Sequence, residues 1–372
     1  LWYTLNIVIL QNEKKQPMKS NVYFVGVQNA DDIPAVNDKL KRLLEVSKVL
    51  NCLIGSEKVV VKVHFGEEGN TGFVRPEHVG LICSAISQKG CVPVASDANT
   101  LYRGRRINSG DHLALAREHG FTRNAIGADI VIPDDAKKED TAVVAINQVR
   151  IKNAKIAKLY LNADAIVAVS HFKGHLLTGF GGALKTIGMG CATREGKLAQ
   201  HCDTAPVFYA ESCTGCGECG LVCPVGAVRV EDGKTVLDKG TCIGCASCVA
   251  ACPNMALFVD FEAGEALQEK MAEYALAVLK EKKAKSCFIN FALRINQECD
   301  CWGKENPRIA PDVGILASLD PVAIDKASYD MVNKACGKDI FREAHPKQDA
   351  LKQIRHSEKI GLGSTDYDLI EL

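Results

Sequence analysis

The chemistry of this sequence concentrates in its cysteines. Cys213-x2-Cys216-x2-Cys219-x3-Cys223-Pro224 is followed by Cys242-x2-Cys245-x2-Cys248-x3-Cys252-Pro253, the same run twice. In such a run three closely spaced thiolates hold three corners of a [4Fe–4S] cube, and the fourth cysteine, next to proline, reaches across to the other cube. The spacing therefore assigns Cys213, Cys216, Cys219 and Cys252 to one cluster and Cys242, Cys245, Cys248 and Cys223 to a second, with one-electron transfer as their chemistry. Gly215, Gly217 and Gly244 would keep side chains off the sulfide faces and let backbone N–H groups donate to sulfur. Zinc is the alternative, but zinc sites pair two Cys-x-x-Cys hooks and do not repeat a four-cysteine run ending in Cys-Pro.

The remaining cysteines divide. Cys52, Cys83, Cys91, Cys287 and Cys336 lie among apolar residues and read as small core hydrophobes. Cys299-Asp300-Cys301 places two thiols one residue apart beside an acid, after an apolar run. That fits a further metal or redox site, with Cys191 or Cys202 as added candidates, and equally a pair of ordinary loop thiols.

Three apolar runs end in chemically useful residues. Val61-Lys62-Val63-His64-Phe65 alternates, putting Lys62 and His64 on one face; Val92–Ser96 delivers Asp97 and Asn99, then Arg103, Arg105 and Arg106; Ala165–Ser170 delivers His171 and His175. Ligands of open α/β sheets collect at the carboxyl ends of strands, so this convergence predicts a pocket for a small anion. The stretch from His171 to Gly190 then supplies Gly179, Gly181, Gly182 and Lys185. A phosphate loop would need Gly immediately before Lys, and Ala183-Leu184 intervene, so nucleotide hydrolysis is rejected. The glycines still suit close approach of backbone amides to an anion or cofactor, or simply a turn packed under a helix.

The elements that must position these residues read as strand, helix, strand. Val22–Val25, Val59–Phe65, Val92–Ser96, Asp129–Pro133 and Ala165–Ser170 are β-rich runs, and Val36, Leu40, Leu43, Leu44 and Leu50 recur near helical spacing. After the cysteine runs the texture resumes: a helical stripe at Leu267, Met271, Tyr274 and Val278, strands over Cys287–Ala292 and Val313–Ala317, and Asp320-Pro321 opening a helix. The expected fold is an α/β layered domain with a largely parallel sheet, interrupted by a two-cluster ferredoxin module. Its parts are 19–207 and 260–372 for the α/β domain and 208–259 for the module, with 1–18 an extension outside the fold. Leu1 to Leu10 lacks the basic flank and cleavage site of a signal peptide, and Met18 reads as a natural start.

The 45 Lys+Arg balance 45 Asp+Glu, so no global field favours nucleic acid or an anionic membrane, and no apolar run approaches a bilayer span. Seventeen cysteines in 372 residues fit metal or redox chemistry in a reducing cytoplasm better than a disulfide framework.

Phe65-Gly66-Glu67-Glu68-Gly69, Ser96-Asp97-Ala98-Asn99-Thr100-Leu101-Tyr102, Ser170–Gly190, Cys299-Asp300-Cys301 and Asp320-Pro321-Val322-Ala323 resemble the ferredoxin-containing members of the domain of unknown function 362 family, from about Asn21 onward. The resemblance implies an α/β domain with an inserted two-cluster ferredoxin and an unassigned reaction. A partial likeness is to the nickel-pincer lactate racemases, where a catalytic His precedes Gly-Phe-x-Gly-Gly, a cofactor-carrying Lys and a nickel-ligand His. His175, Gly179-Phe180-Gly181-Gly182, Lys185 and His201 fall in that order. Ala183 and Leu184 replace a Gly-Arg pair and the ferredoxin module is foreign to the racemases, so the likeness implies shared pocket geometry and leaves a shared cofactor in doubt.

The expected function is electron exchange between two [4Fe–4S] clusters and a small-molecule pocket. His171, His175, Lys185 and His201 are the catalytic candidates, with His as acid or base. Gly179, Gly181, Gly182, Lys62, His64, Asp97, Asn99 and Arg105 are the binding candidates, and Cys299 and Cys301 are added metal candidates. The partner is a redox protein or a small molecule. A hydroxy-acid racemase or epimerase with structural clusters, and a non-enzymatic carrier or redox sensor, are the alternatives.

Overall fold

Val59, Val60, Val61 and Val63 are all buried, as are all seven residues of Ala165–His171 and of Ser286–Ala292. Unbroken apolar runs of this kind belong to strands covered on both faces. The computed structural model describes residues 19–102, 104–133, 138–201, 205–242, 247–258, 266–304 and 306–372. Arg103, Cys202, Gly244, Cys245 and the extension 1–18 lie outside them.

The main sheet has eight strands: β1 (Ser20–Gly26), β2 (Lys58–Val63), β3 (Val92–Ser96), β4 (Asp129–Val131), β5 (Ala165–His171), β6 (Ser286–Ala292), β7 (Gly314–Ser318) and β8 (Tyr367–Glu371). Their order is β8-β1-β7-β6-β5-β2-β3-β4. Only β7 runs antiparallel to its neighbours, β1 and β6; the other pairings are parallel. The fold is therefore mixed α/β with a large, largely parallel sheet, and strands from both sides of the cysteine-rich segment share it.

From β2 the chain moves outward to β3 and β4, then returns to β5 on the other side of β2 and continues to β6. Strand order reverses between β2 and β5, and crevices at carboxyl ends form at such a reversal. Alternation along the strands sends Val59, Val61 and Val63 into one core and Val60 into the other, so Lys62 emerges on the Val60 side. β2 stops at Val63, two residues before the sequence suggested, because Gly66 N turns back to donate to His64 Nδ1 at 2.9 Å. β4 likewise ends at Val131.

Helix ends follow their side-chain chemistry. Asp32 caps Ile33–Ser47 through Ala35 N, and that helix buries Val36, Leu40, Leu43 and Leu44. Asp320 accepts from Val322 N and Ala323 N to open Pro321–Cys336, which Gly337 closes in the left-handed conformation. Leu267–Leu279 is buried nearly all round, including Glu273, whose carboxylate accepts from Arg150 N and Ile151 N.

The cysteine-rich segment has its own small core, in which Cys213, Cys219, Cys248 and Cys252 pack with Val228, Val249 and Leu257. It enters and leaves through adjacent antiparallel strands, Val207–Phe208 and Leu257–Phe258. Between them lie helices Glu218–Leu221 and Ser247–Ala251 and the hairpin Val228–Glu231/Lys234–Leu237. Leu101 and Leu198 of the α/β domain join the same core and fix the segment beside the strand ends.

Candidate active site

A cavity of about 470 Å³ opens at the carboxyl ends of β2, β3 and β5. The structure brings Lys62, His64, Asp97, His175, Lys185 and His201 to its wall, together with Cys299 and Cys301. Met255 and Phe258 of the cysteine-rich segment form part of the same wall.

Each charged group is held by a buried partner. Lys62 Nζ lies 2.6 Å from Asp97 Oδ1. Burial pushes the Asp97 carboxyl up, but Lys62, His64 and His112 together outweigh it and the group stays well below the usual carboxylate range. Gly190 makes room for Lys62, since an added Cβ would stand 2.8 Å from Lys62 Cε. Arg106 donates to Glu67 at 2.8 Å and to the Tyr102 hydroxyl at 3.0 Å, and its guanidinium lies 2.9 Å from His64 Nε2. Burial and that guanidinium keep His64 far below its ordinary value.

Lys185 comes from the short helix Ala183–Gly188. Leu184 and Ile187 anchor that helix in the core, and Ser170 Oγ donates to Thr186 Oγ1 at 2.8 Å to tie it to β5. Lys185 Nζ donates to Cys299 Sγ at 3.1 Å. The hydrogen bond from Cys301, with Lys185 and Lys173, outweighs burial and holds the Cys299 thiol well below the usual range; Cys301 is pushed up by the same hydrogen bond. Asp300 between them is fully buried, within 2.7 Å of His171 Nδ1 and 3.1 Å of Lys173 Nζ.

His175 Nδ1 accepts from Leu177 N and Thr178 N, both at 3.2 Å. Burial, then Lys185 and Lys173, keep the ring neutral, so its remaining proton sits on Nε2. At neutral pH His175 is thus a hydrogen-bond donor rather than a free base. Burial and Lys185 push His201 down to about 3. Lys173 and Lys197 also line the cavity, making it rich in cations.

The structure places other sequence candidates elsewhere. His171 stands behind the cavity, with Asp300 Oδ1 and the Leu293 carbonyl as its partners; both are acceptors, so its ring is engaged in holding the Cys-Asp-Cys turn. Asn99 bonds to Ser109, Pro133 O and His112, a brace for the β3 loop. Arg105 points to the surface, where it grips Glu118 through two bonds of 2.6 and 2.7 Å, while its neighbour Arg106 turns inward. Gly179, Gly181 and Gly182 do not line the cavity but pack against protein. A Cβ on Gly179, whose φ is +74°, would strike Ala350; on Gly181 it would strike the Lys185 stem; on Gly182 it would strike Asp325 Oδ1. Asp325 already accepts from Ala183 N and Leu184 N at 2.7 and 2.9 Å, so the amides expected to meet an anion are satisfied within the fold. Cys191 is fully buried in the main core.

Sequence reasoning missed Lys173, Lys197, Glu67 and Asp300. Lys173 had a signal, since it alternates with His171 and His175; Glu67 had none, because its role depends on which arginine turns inward.

In the cysteine-rich segment, Gly215 N donates to Cys213 Sγ at 3.4 Å and Ala256 N to Cys252 Sγ at 3.2 Å, while Thr235 Oγ1 lies 3.4 Å from both Cys213 and Cys219. Burial pushes Cys223 up, but four backbone amides from Val225 to Val228 outweigh it and lower its thiol. Donors gathered on cysteine sulfur in this way fit iron–sulfur ligation. Among the described residues no three His, Cys, Asp or Glu side chains are gathered as a ready metal-binding set, and no helix is long and apolar enough to cross a membrane.

Comparison with solved structures finds the lactate racemase apoprotein from Thermoanaerobacterium thermosaccharolyticum, 15% identical with a TM-score of 0.38, covering 74% of this chain and 51% of that one. A crystal structure of a protein from Thermotoga maritima is also 15% identical, with a TM-score of 0.40, covering 82% of this chain and 59% of that one. The chain thus spans between half and three fifths of their lengths. No curated protein matches. Residues 59–330 match the family described as Domain of unknown function (DUF362), and the chain belongs to that family.

Proposed function

We propose that this protein is a cytoplasmic iron–sulfur electron-transfer protein whose inserted ferredoxin-type module exchanges electrons with a small anion bound at the α/β domain. The observation that carries the reading is the shared wall of the cavity: Met255 and Phe258 from the cysteine-rich segment face the same space as Lys185 and His175. Met255 follows Cys252, a proposed cluster ligand, by three residues, which supports a short path between cluster and cavity. Two [4Fe–4S] clusters on Cys213, Cys216, Cys219 and Cys252 and on Cys242, Cys245, Cys248 and Cys223 would each supply one electron when bound. The chain's own residues do the rest: Lys62, Lys173, Lys185, Lys197 and Arg106 supply cationic hydrogen-bond donors to an anion, His175 Nε2–H orients the ligand, and Leu176, Leu267 and Met271 exclude water.

Iron and acid-labile sulfide measured on anaerobically purified protein should each reach about eight per chain. Stoichiometric zinc without sulfide overturns the reading. With clusters loaded, His175→Ala and Lys185→Ala should abolish ligand-dependent reoxidation while leaving iron content unchanged.

A second reading, a racemase or epimerase acting on a small hydroxy acid with structural clusters, draws on His175, Lys185 and His201 lining one cavity. Turnover without any electron donor favours it.

A further inference from the structure

Cys299 and Cys301 sit in a tight turn closed by Trp302 N donating to Cys299 O at 2.9 Å. Both side chains line the cavity, and the Cys301 thiol bonds to Cys299. The turn is held from behind: Asp300 is pinned by His171 and Lys173, Asp300 O accepts from Glu67 N at 3.1 Å, and Tyr102 donates to Cys301 O at 3.1 Å. Lys185 Nζ stands 3.1 Å from Cys299 Sγ, on the cavity side of the thiol pair. An ammonium there repels a cation and stabilises a nucleophilic thiolate. Three of the chain's five methionines, Met189, Met255 and Met271, line the same cavity and give it a soft, polarizable surface suited to sulfur.

We propose that Cys299 and Cys301 are a redox-active dithiol, Cys299 the attacking thiolate and Cys301 the resolving thiol, that exchanges with a small disulfide entering the cavity. Cys299 attacks one sulfur of the disulfide; the disulfide's S–S bond breaks, a bond to Cys299 forms, and one thiolate leaves. Cys301 then attacks the Cys299 sulfur, breaking the mixed disulfide and releasing the second thiolate. The Cys301 proton goes to one product and a proton from water to the other. Net, the small disulfide gains two electrons and two protons, and Cys299 and Cys301 become joined by a disulfide. This step needs no cluster and stands apart from the electron-transfer reading.

The test uses the full chain as purified under argon, with 2-hydroxyethyl disulfide as the probe and mass mapping of the peptide carrying residues 299–301. Wild-type protein should lose two hydrogens from that peptide and regain them with dithiothreitol. Cys301→Ser should instead trap one mercaptoethanol adduct on Cys299. Lys185→Ala should slow reaction at Cys299 by about tenfold or more, and Lys185→Arg should restore it. Circular dichroism on each variant separates misfolding from lost reactivity, and the Lys185→Arg rescue keeps the test decisive if Cys301→Ser fails to fold. Reaction at Cys299 no faster than at the half-buried Cys336, or a Cys299→Ser/Cys301→Ser variant that loses bound metal while the wild-type pair ignores the probe, overturns the proposal. Iron measured on the same samples reports separately on the clusters, so the two readings can fail independently.

Discussion

Two regions of this molecule stabilise thiolates, and they do it by opposite means. At Cys299 the hydrogen bond from Cys301 and then a cation do the work: Lys185 Nζ stands 3.1 Å from the sulfur. In the cysteine-rich segment neutral donors do it, the Thr235 hydroxyl and Gly215 N at Cys213 and four successive amides around Cys223. Amide dipoles lower the charge density on sulfur yet leave its remaining lone pairs open to a metal. A lysine ammonium beside the sulfur disfavours a second cation there and stabilises a nucleophilic thiolate. The surroundings thus suit the same residue type to the two different chemistries proposed above, metal ligation in one region and covalent exchange in the other.

The sharpest way to break the comparison is Cys223→Ala. Under the proposed crossed ligation it should remove the cluster of Cys242, Cys245 and Cys248, about half of the iron, and leave the reactivity of Cys299 unchanged; electron paramagnetic resonance and iron assay read the first, peptide mapping the second. Loss confined to the cluster of Cys213, Cys216 and Cys219 contradicts the crossing.

Next in size is Asp300→Ala, which strands the buried Lys173 and His171 without their carboxylate. Breaking one side of a buried ion pair should lower stability by about 3–5 kcal/mol in urea unfolding and blunt Cys299, with no comparable effect on the cysteine-rich segment. An unchanged midpoint would show that the turn is held by its backbone bonds alone.

Asp325 gives a pH signature. Burial pushes its carboxyl up to about 6 from an ordinary 3.8, so between those values the folded chain binds a proton that the unfolded chain does not. Its contribution favours the folded state at low pH and is lost as pH rises from 3.8 through 6, by about 1–3 kcal/mol. Asp325→Asn should flatten that part of the stability profile, and it sets an amide donor against Ala183 N or Leu184 N at the start of the helix carrying Lys185.

The smallest effect separates two neighbours. Arg105→Ala removes an exposed pair with Glu118 and should leave stability and ligand binding unchanged, because water screens that pair. Arg106→Ala, which opens the contacts to Glu67 and Tyr102, should weaken binding of any anion in the cavity. Equal behaviour of the two variants in calorimetric titration would mean the inward arginine does not set the cavity's charge.

Much was legible in the sequence because it depends on period and local chemistry. Unbroken Val and Ile runs gave the double-sided sheet, Asp320-Pro321 gave a helix start, and alternation put Lys62 and His64 on one face; all three are set by residues within a few positions of each other. The paired cysteine runs, the order His175, Lys185, His201 and the Cys-Asp-Cys turn were likewise visible as composition. Tertiary structure alone decided which of these side chains meet. Arg106 turns inward because Glu67 and Tyr102 wait there, while Arg105 finds Glu118 outside. Gly179, Gly181 and Gly182 pack against Ala350, the Lys185 stem and Asp325, two of them from far along the chain. His171 faces Asp300 rather than the cavity for the same reason: long-range partners compete for each polar group, and burial makes the strongest available partner win.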